Sequence, residues 1–195
     1  MHSRRRKKIR LPLVEYDWTN IFSITVSTQD RYEWFAYHPR LADEIVSVVL
    51  HASRERGSGL LAWCVMPDHV HLLLRDADVV AFVRLFKGRC TPVARLFEKE
   101  RRLWQRSFFD HGVRREESLL DIARYILANP VKAGLVVEAK DYKWSGSEAW
   151  PAWREDNWSP IAQLTTLSVE EQPCSRDVQT PDNVPLGVPN GRRCA

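Results

Sequence analysis

The sequence predicts an α+β domain of the ferredoxin-like, split βαβ type, with an antiparallel sheet and one further helix at its C-terminal end. Three observations predict it. Segments of strand and helix periodicity follow one another in the order strand, helix, strand, strand, helix, strand, helix. The two central strands are parted only by Pro67 and Asp68, a link that suits a hairpin. The length of 195 residues fits one domain and falls short of the ~250 that a (β/α)8 barrel takes.

Over 21–27, Phe22, Ile24 and Val26 alternate with Ser23, Thr25 and Ser27, the pattern of a half-buried strand. From Leu41 to Arg54, Leu41, Ile45, Val48 and Val49 recur at helical spacing. LLAWCVM at 60–66 and HVHLLL at 69–74 are apolar runs of strand length. Val79, Phe82, Val83, Phe86, Val93, Leu96 and Phe97 form a helical stripe reaching Glu98, with Pro92 expected to kink or break it. WQRSFFDHGVR at 104–114 supplies the next strand. Ser118 and Asp121 then form a capping box for a last helix, whose stripe is Leu119, Ile122, Ala123, Ile126 and Leu127. That helix is expected to stop near Asn129, because Pro130 disfavours αR in the residue before it. After Trp158 there is no aromatic residue, and four prolines punctuate a polar stretch, so 161–195 is expected to be a disordered tail.

With 44% hydrophobic and 28% charged residues, the chain has the material for a core and lies away from disordered compositions. No run approaches the ~20 apolar residues of a membrane span, and the basic run in residues 1–10 has no apolar segment behind it, so no membrane partner and no secretion are expected. Cys64, Cys90, Cys174 and Cys194 are scattered without a CxxC pair, which fits reduced thiols in a cytoplasm.

The net charge of +4 is unevenly placed. Residues 1–10 carry Arg4, Arg5, Arg6, Lys7, Lys8 and Arg10 with no acid. Residues 84–106 carry Arg84, Lys87, Arg89, Arg95, Lys99, Arg101, Arg102 and Arg106 against Glu98 and Glu100, and the rest of the chain is net acidic. Such asymmetry suits a binder of phosphate backbones; a solvated helix face is the plainer alternative.

His69 and His71 flank Val70 within a strand, so period-two alternation turns both imidazoles to one face. They are either a pair of metal ligands or a pair of hydrogen-bonded structural histidines. Tyr125 lies about 130° from the centre of the apolar stripe of its helix, and Asn129, four residues on, shares its side. A phenol and an amide oxygen so presented suit metal-assisted attack on a phosphodiester, with Tyr125 as nucleophile and Asn129 as a third ligand beside His69 and His71. Alternatively, Tyr125 is an amphipathic surface residue and Asn129 satisfies backbone groups at a helix end. His111 could contact phosphate, and Asp68 could approach a metal, although a turn residue after Pro67 explains it. There is no HExxH, PCxxC, GxxxxGK[ST] or GxSxG, and no nucleotide cofactor is expected.

WCVMPDHVHLLL at 63–74 resembles the HUH motif of single-tyrosine transposases, and RYILANPVKAGLV at 124–136 resembles their tyrosine-bearing helix. WQRSFFDH at 104–111 and YKWSGS at 142–147 resemble further stretches of the REP-associated branch, and the likeness spans roughly 16–150. The resemblance implies a metal-dependent endonuclease and strand transferase that cleaves single-stranded DNA near REP-type hairpins. His69, His71 and Asn129 would hold Mg2+ or Mn2+, and Tyr125 would form a 5′-phosphotyrosine link. The alternative is a hairpin-DNA-binding protein descended from a transposase without its turnover. Arg4, Arg5, Arg6, Lys7, Lys8, Arg84, Lys87, Arg89 and Arg106 are the expected nucleic-acid contacts. The expected organisation is a basic arm at 1–15, a transposase domain at 16–160 and the tail at 161–195, acting as a monomer rather than a homodimer in the cytoplasm, at the nucleoid.

Overall fold

The apolar run HVHLLL forms the central strand of a five-stranded antiparallel sheet, since a strand covered on both faces needs apolar residues on both. The structure, a computed structural model, describes residues 20–114 and 117–155. The expected arm, with Arg4, Arg5, Arg6, Lys7 and Lys8, and the expected tail lie outside them, as do Cys174, Cys194 and Trp158. In chain order the elements are β1 (Ile21–Ser27), α1 (Trp34–Tyr37), α2 (Pro39–Arg56), β2 (Gly59–Met66), β3 (His69–Arg75), α3 (Val79–Ala94), β4 (Phe109–Gly112), α4 (Leu119–Lys132) and β5 (Ser145–Gly146). The sheet order is β4-β1-β3-β2-β5 with every pairing antiparallel, the split βαβ arrangement with a short strand added at one edge.

The two faces of the sheet are covered differently. On one, Ile24, Val26, Val70, Leu72 and Leu74 pack against Leu41, Ile45 and Val49 of α2 and Phe82, Val83 and Phe86 of α3. Each large side chain fully buried there contributes about 1.5–3 kcal/mol. On the other, Ile21, Ala62, Cys64, Met66 and Leu73 meet Leu119, Ala123, Ile126 and Leu127 of α4, with Trp150 and Trp153 beyond. Register shifts between Leu60 and Ala62, so that Leu61 and Ala62 both serve the α4 side while Leu60 and Trp63 serve the other. Among the described residues no helix is long and apolar enough to cross a membrane.

Three element ends differ from expectation. The last helix does not stop at Asn129 but runs through Pro130 to Lys132. Proline leaves the Ile126 carbonyl without its N–H donor, and Asn129 Nδ2 donates to that carbonyl at 3.2 Å and to the Tyr125 carbonyl at 2.9 Å. The helix then closes at Gly134, φ +69°, with Leu135 N–H donating to the Pro130 carbonyl and Gly134 N–H to that of Val131. Pro92 is likewise inside α3, which ends at Ala94, so Leu96 leaves the expected stripe and is exposed. The strand expected over 104–114 is reduced to Phe109–Gly112 plus a single bridge from Trp104 to Thr28. The Lys87 ammonium explains the interruption, since it gathers the carbonyls of Gln105, Arg106 and Ser107 at 2.9, 3.2 and 2.8 Å and curls that segment inward.

Candidate active site

Period-two alternation puts His69, His71 and Leu73 on one face of β3, and Leu73 packs with α4, so the imidazoles share the α4 face. Their rings stand at 89° with centroids 4.5 Å apart, and the two Nε2 atoms are separated by 2.9 Å. Each ring is held from behind through Nδ1. His69 Nδ1 meets Asp68 Oδ1 at 2.5 Å, while Arg31 Nε donates to the other carboxylate oxygen at 2.8 Å. His71 Nδ1 meets Thr25 Oγ1, its cross-strand partner, at 3.0 Å.

The electrostatics follow from burial. Burial first, then the charges of His69 and Arg31, push the His71 imidazole down to about 3, which keeps it neutral and able to ligate. Burial alone would raise the Asp68 carboxyl, but the hydrogen bond and charge of His69, with the charge of Arg31, outweigh it and hold the group below the usual carboxylate range. With both Nδ1 atoms engaged, the two Nε2 atoms are left facing each other at 2.9 Å, within hydrogen-bond distance. Nitrogens bound side by side to one ion at ~2.1 Å lie about 3.0 Å apart, so the pair fits a divalent metal. Among the described residues no group of three or more His, Cys, Asp or Glu side chains is placed to hold a metal, and further ligands would have to be of another type.

Tyr125 is on α4, 42% exposed, off the apolar stripe as its spacing predicts. Lys132 lies two turns further along the same side, with Nζ 3.8 Å from the Tyr125 ring centroid, and its charge is felt at His71. The amide nitrogen of Asn129 is committed to its own helix, which leaves Oδ1 as the atom a ligand role would use. Thr25, Arg31 and Lys132 are members of this constellation that sequence reasoning passed over. The polar side of β1 and the seven-residue spacing from Tyr125 to Lys132 were available signals for two of them. Nothing in the sequence pointed to Arg31, which adopts φ +54° just after β1.

The expected nucleic-acid contacts divide. Arg84 and Arg106 are exposed. The Lys87 ammonium is spent on backbone carbonyls, and burial with the neighbouring Arg102 lowers it to about 8. Arg89 pairs with Glu55. A groove of about 490 Å³ runs along the end of α3 and the following segment, lined by Lys87, Arg95, Lys99, Arg101, Arg102 and Arg106 among others. His111 is on the α4 face of β4, where its Nε2 pairs with Glu117 at 3.0 Å.

Comparison with known proteins gives the family and the fold. The chain is 29% identical over 139 residues to a REP-associated tyrosine transposase of Haemophilus influenzae, an alignment covering 64% of this chain and 78% of the relative. It is 29% identical over 101 residues to the REP-associated tyrosine transposase of Escherichia coli, covering 50% of this chain and 59% of that protein, less than two thirds of its length. A solved structure of a REP-associated tyrosine transposase bound to a REP hairpin superposes with a TM-score of 0.54 at 23% identity, covering 74% of this chain and 82% of that one, and shares the fold. The family model for transposases of the IS200-like type matches residues 18–129, a span that takes in β1 to β4, the histidine pair, Tyr125 and Asn129, and more than half of the chain. With that match the chain belongs to the IS200-like transposase family.

Proposed function

We propose that the protein is a metal-dependent endonuclease and strand transferase that cleaves single-stranded DNA beside REP-type hairpins through a covalent 5′-phosphotyrosine. The observation that carries the reading is the pair of Nε2 atoms 2.9 Å apart, each held through Nδ1, on the sheet face that α4 covers, with Lys132 of α4 over the Tyr125 ring and its charge felt at His71. Mg2+ or Mn2+ held by His69, His71 and Asn129 Oδ1 would polarise the scissile phosphate and offset charge in the attack. Tyr125 Oη forms a bond to phosphorus as the bond from phosphorus to O3′ breaks. The phenolic proton is lost to solvent, and the leaving 3′ oxygen takes one up. The Lys132 ammonium lies over the Tyr125 ring, a cation beside the group proposed to attack. Reversal by a 3′-OH rejoins strands without a nucleotide cofactor, because one phosphate ester has replaced another.

The basic groove and the exposed Arg84 and Arg106 suit the backbone of a hairpin stem, and the arm with Arg4, Arg5, Arg6, Lys7 and Lys8 would add to them. Because the histidine pair and the helix that carries Tyr125 and Lys132 belong to one chain, a monomer is the simplest active form, at the nucleoid in the cytoplasm.

The deciding experiment incubates wild type and Tyr125→Phe with end-labelled hairpin DNA and Mn2+, followed by denaturing electrophoresis. A labelled protein band in wild type alone is expected, with hairpin binding nearly unchanged in the variant. An adduct that persists in Tyr125→Phe would place the nucleophile elsewhere. Binding by wild type without any adduct, across the hairpins tested, would favour a binding-only descendant.

A further inference from the structure

Strand β4 is the sheet edge beside β1, and in the chain it follows the segment that lines the basic groove. The groove is lined up to Arg106, and β4 begins three residues later with Phe109. In the antiparallel register Phe109 faces Thr25, and Thr25 faces His71, so the three form one cross-strand row on the α4 face. Thr25 is the residue that holds His71 through Nδ1. Phe109 is therefore two strand spacings, about 10 Å, from a proposed metal ligand. Its ring is 58% exposed, although an aromatic on an open edge strand normally gains by burial. The exposed Arg106 and Arg114 bracket the strand with positive charge.

From this row we infer that Phe109 is a stacking platform for an unpaired base of the substrate strand, where that strand passes from the groove over the sheet edge to the site. The inference rests on the proposed single-stranded DNA activity and specifies how that strand is held. A flat apolar ring flanked by cations is what single-strand binders present, since every base has a π-face and every nucleotide a phosphate. At ~3.4 Å or more per nucleotide, 10 Å places the stacked base within about three nucleotides of the scissile phosphate. Phe109 then acts as a positioning residue: it fixes the strand without touching the reacting atoms.

The test uses the full-length protein with a fluorescein-labelled twenty-nucleotide oligothymidine, and a twenty-base-pair duplex as control. Phe109→Ala is expected to weaken oligothymidine binding about 5- to 100-fold, the range found for removal of a stacking aromatic, and to leave duplex binding unchanged. Phe109→Trp is expected to restore it, and Phe109→Leu, apolar but not planar, is not. An exposed ring adds little to the core, so thermal unfolding of all three variants should match wild type, which separates a stacking loss from a folding loss. Wild-type affinity in Phe109→Ala or Phe109→Leu overturns the inference. If the Tyr125 adduct still forms in that case, the proposed activity stands and only the platform falls. Failure of wild type to bind oligothymidine overturns the inference, while the Tyr125 adduct on hairpin DNA decides the proposed activity separately.

Discussion

A carboxylate stands at each end of β3, Asp68 before His69 and Asp76 after Arg75, and the two are used differently. Asp76, whose side chain is 3% exposed, accepts only from groups of the scaffold: Arg56 through Nε and Nη2 at 3.0 and 2.8 Å, the Ser58 hydroxyl, and the Asp78 N–H at 2.7 Å. Its bonds tie α2, β2 and the start of α3 to the end of β3. Asp68 is 18% exposed and splits its oxygens between Arg31 and His69. Its ring partner presents the other nitrogen to His71. One network is closed on itself, and the other ends on two Nε2 atoms 2.9 Å apart. A buried carboxylate whose donors all come from the scaffold holds the fold, whereas one that orients a histidine serves the atom on the far side of the ring.

The largest effect expected from this contrast is on stability. Asp76→Ala leaves the Arg56 guanidinium, the Ser58 hydroxyl and the Asp78 N–H without their acceptor, and should cost about 2–3 kcal/mol in urea unfolding, with little change in Mn2+ affinity of the protein still folded. A pH signature accompanies it. Burial would raise the Asp76 carboxyl, but Arg56, Ser58 and the Asp78 N–H outweigh burial and hold it below the ordinary value. The folded state then binds fewer protons than the unfolded one, so the contribution is present above the unfolded pKa of ~3.9 and is lost as pH falls through the lower folded value. Wild type should lose stability steeply below about pH 4, and Asp76→Asn should show a shallower loss. Equal acid slopes in the two proteins would remove Asp76 from its structural role.

Asp68→Ala should do the reverse. With Asp68 gone, His69 Nδ1 has no fixed acceptor, its ring turns more freely, and the Nε2 pair is no longer preset. Mn2+ affinity measured by titration calorimetry should fall about 10- to 100-fold, the usual cost of removing a carboxylate behind a ligating histidine. Covalent adduct formation should fall with it, while urea unfolding stays within about 1 kcal/mol of wild type, since Arg31 is half exposed and an ion pair there adds little. A stability loss equal to that of Asp76→Ala would erase the difference between the two ends of the strand.

How much of this was legible beforehand depended on whether a pattern is local. The hairpin, the alternation of β1 and the stripe of α4 are one-dimensional signals and match the observed elements closely. The continuation of α4 past Pro130 was not legible from backbone preference alone, because the remedy is a side chain, Asn129, that occupies the carbonyl proline cannot serve. The same amide was read as a ligand candidate, and only its oxygen is left for that purpose. The reach of Lys87 to three carbonyls across 18 to 20 residues is a tertiary event, and it both shortened β4 and withdrew the ammonium from the expected phosphate contacts. β5 is two residues long, too short for periodicity to reveal; its Gly146 is required because a Cβ there would lie 2.2 Å from the Trp63 ring. The histidine pair was visible as a shared face, but Asp68 and Asp76 look alike in the sequence as polar residues at strand ends. Only their partners tell them apart.

The smallest expected effect sharpens the comparison within the site. His71 is held by a neutral hydroxyl, Thr25 Oγ1 at 3.0 Å, whereas His69 is held by a carboxylate whose pKa, against burial, the hydrogen bond to His69, with Arg31, keeps below the ordinary range. Hydrogen bonds to charged groups are worth about twice those between neutral ones, and a neutral bond contributes about 0.5–1.5 kcal/mol. Thr25→Val keeps the β-branched shape between Phe109 and His71 and removes only the hydroxyl. It should weaken Mn2+ binding about 2- to 10-fold, less than Asp68→Ala. The double variant should equal the sum of the two in free energy if each partner orients its own ring independently. A double variant no weaker than Asp68→Ala alone would show that His71 is positioned through His69, so that the whole pair hangs on the carboxylate at the start of β3.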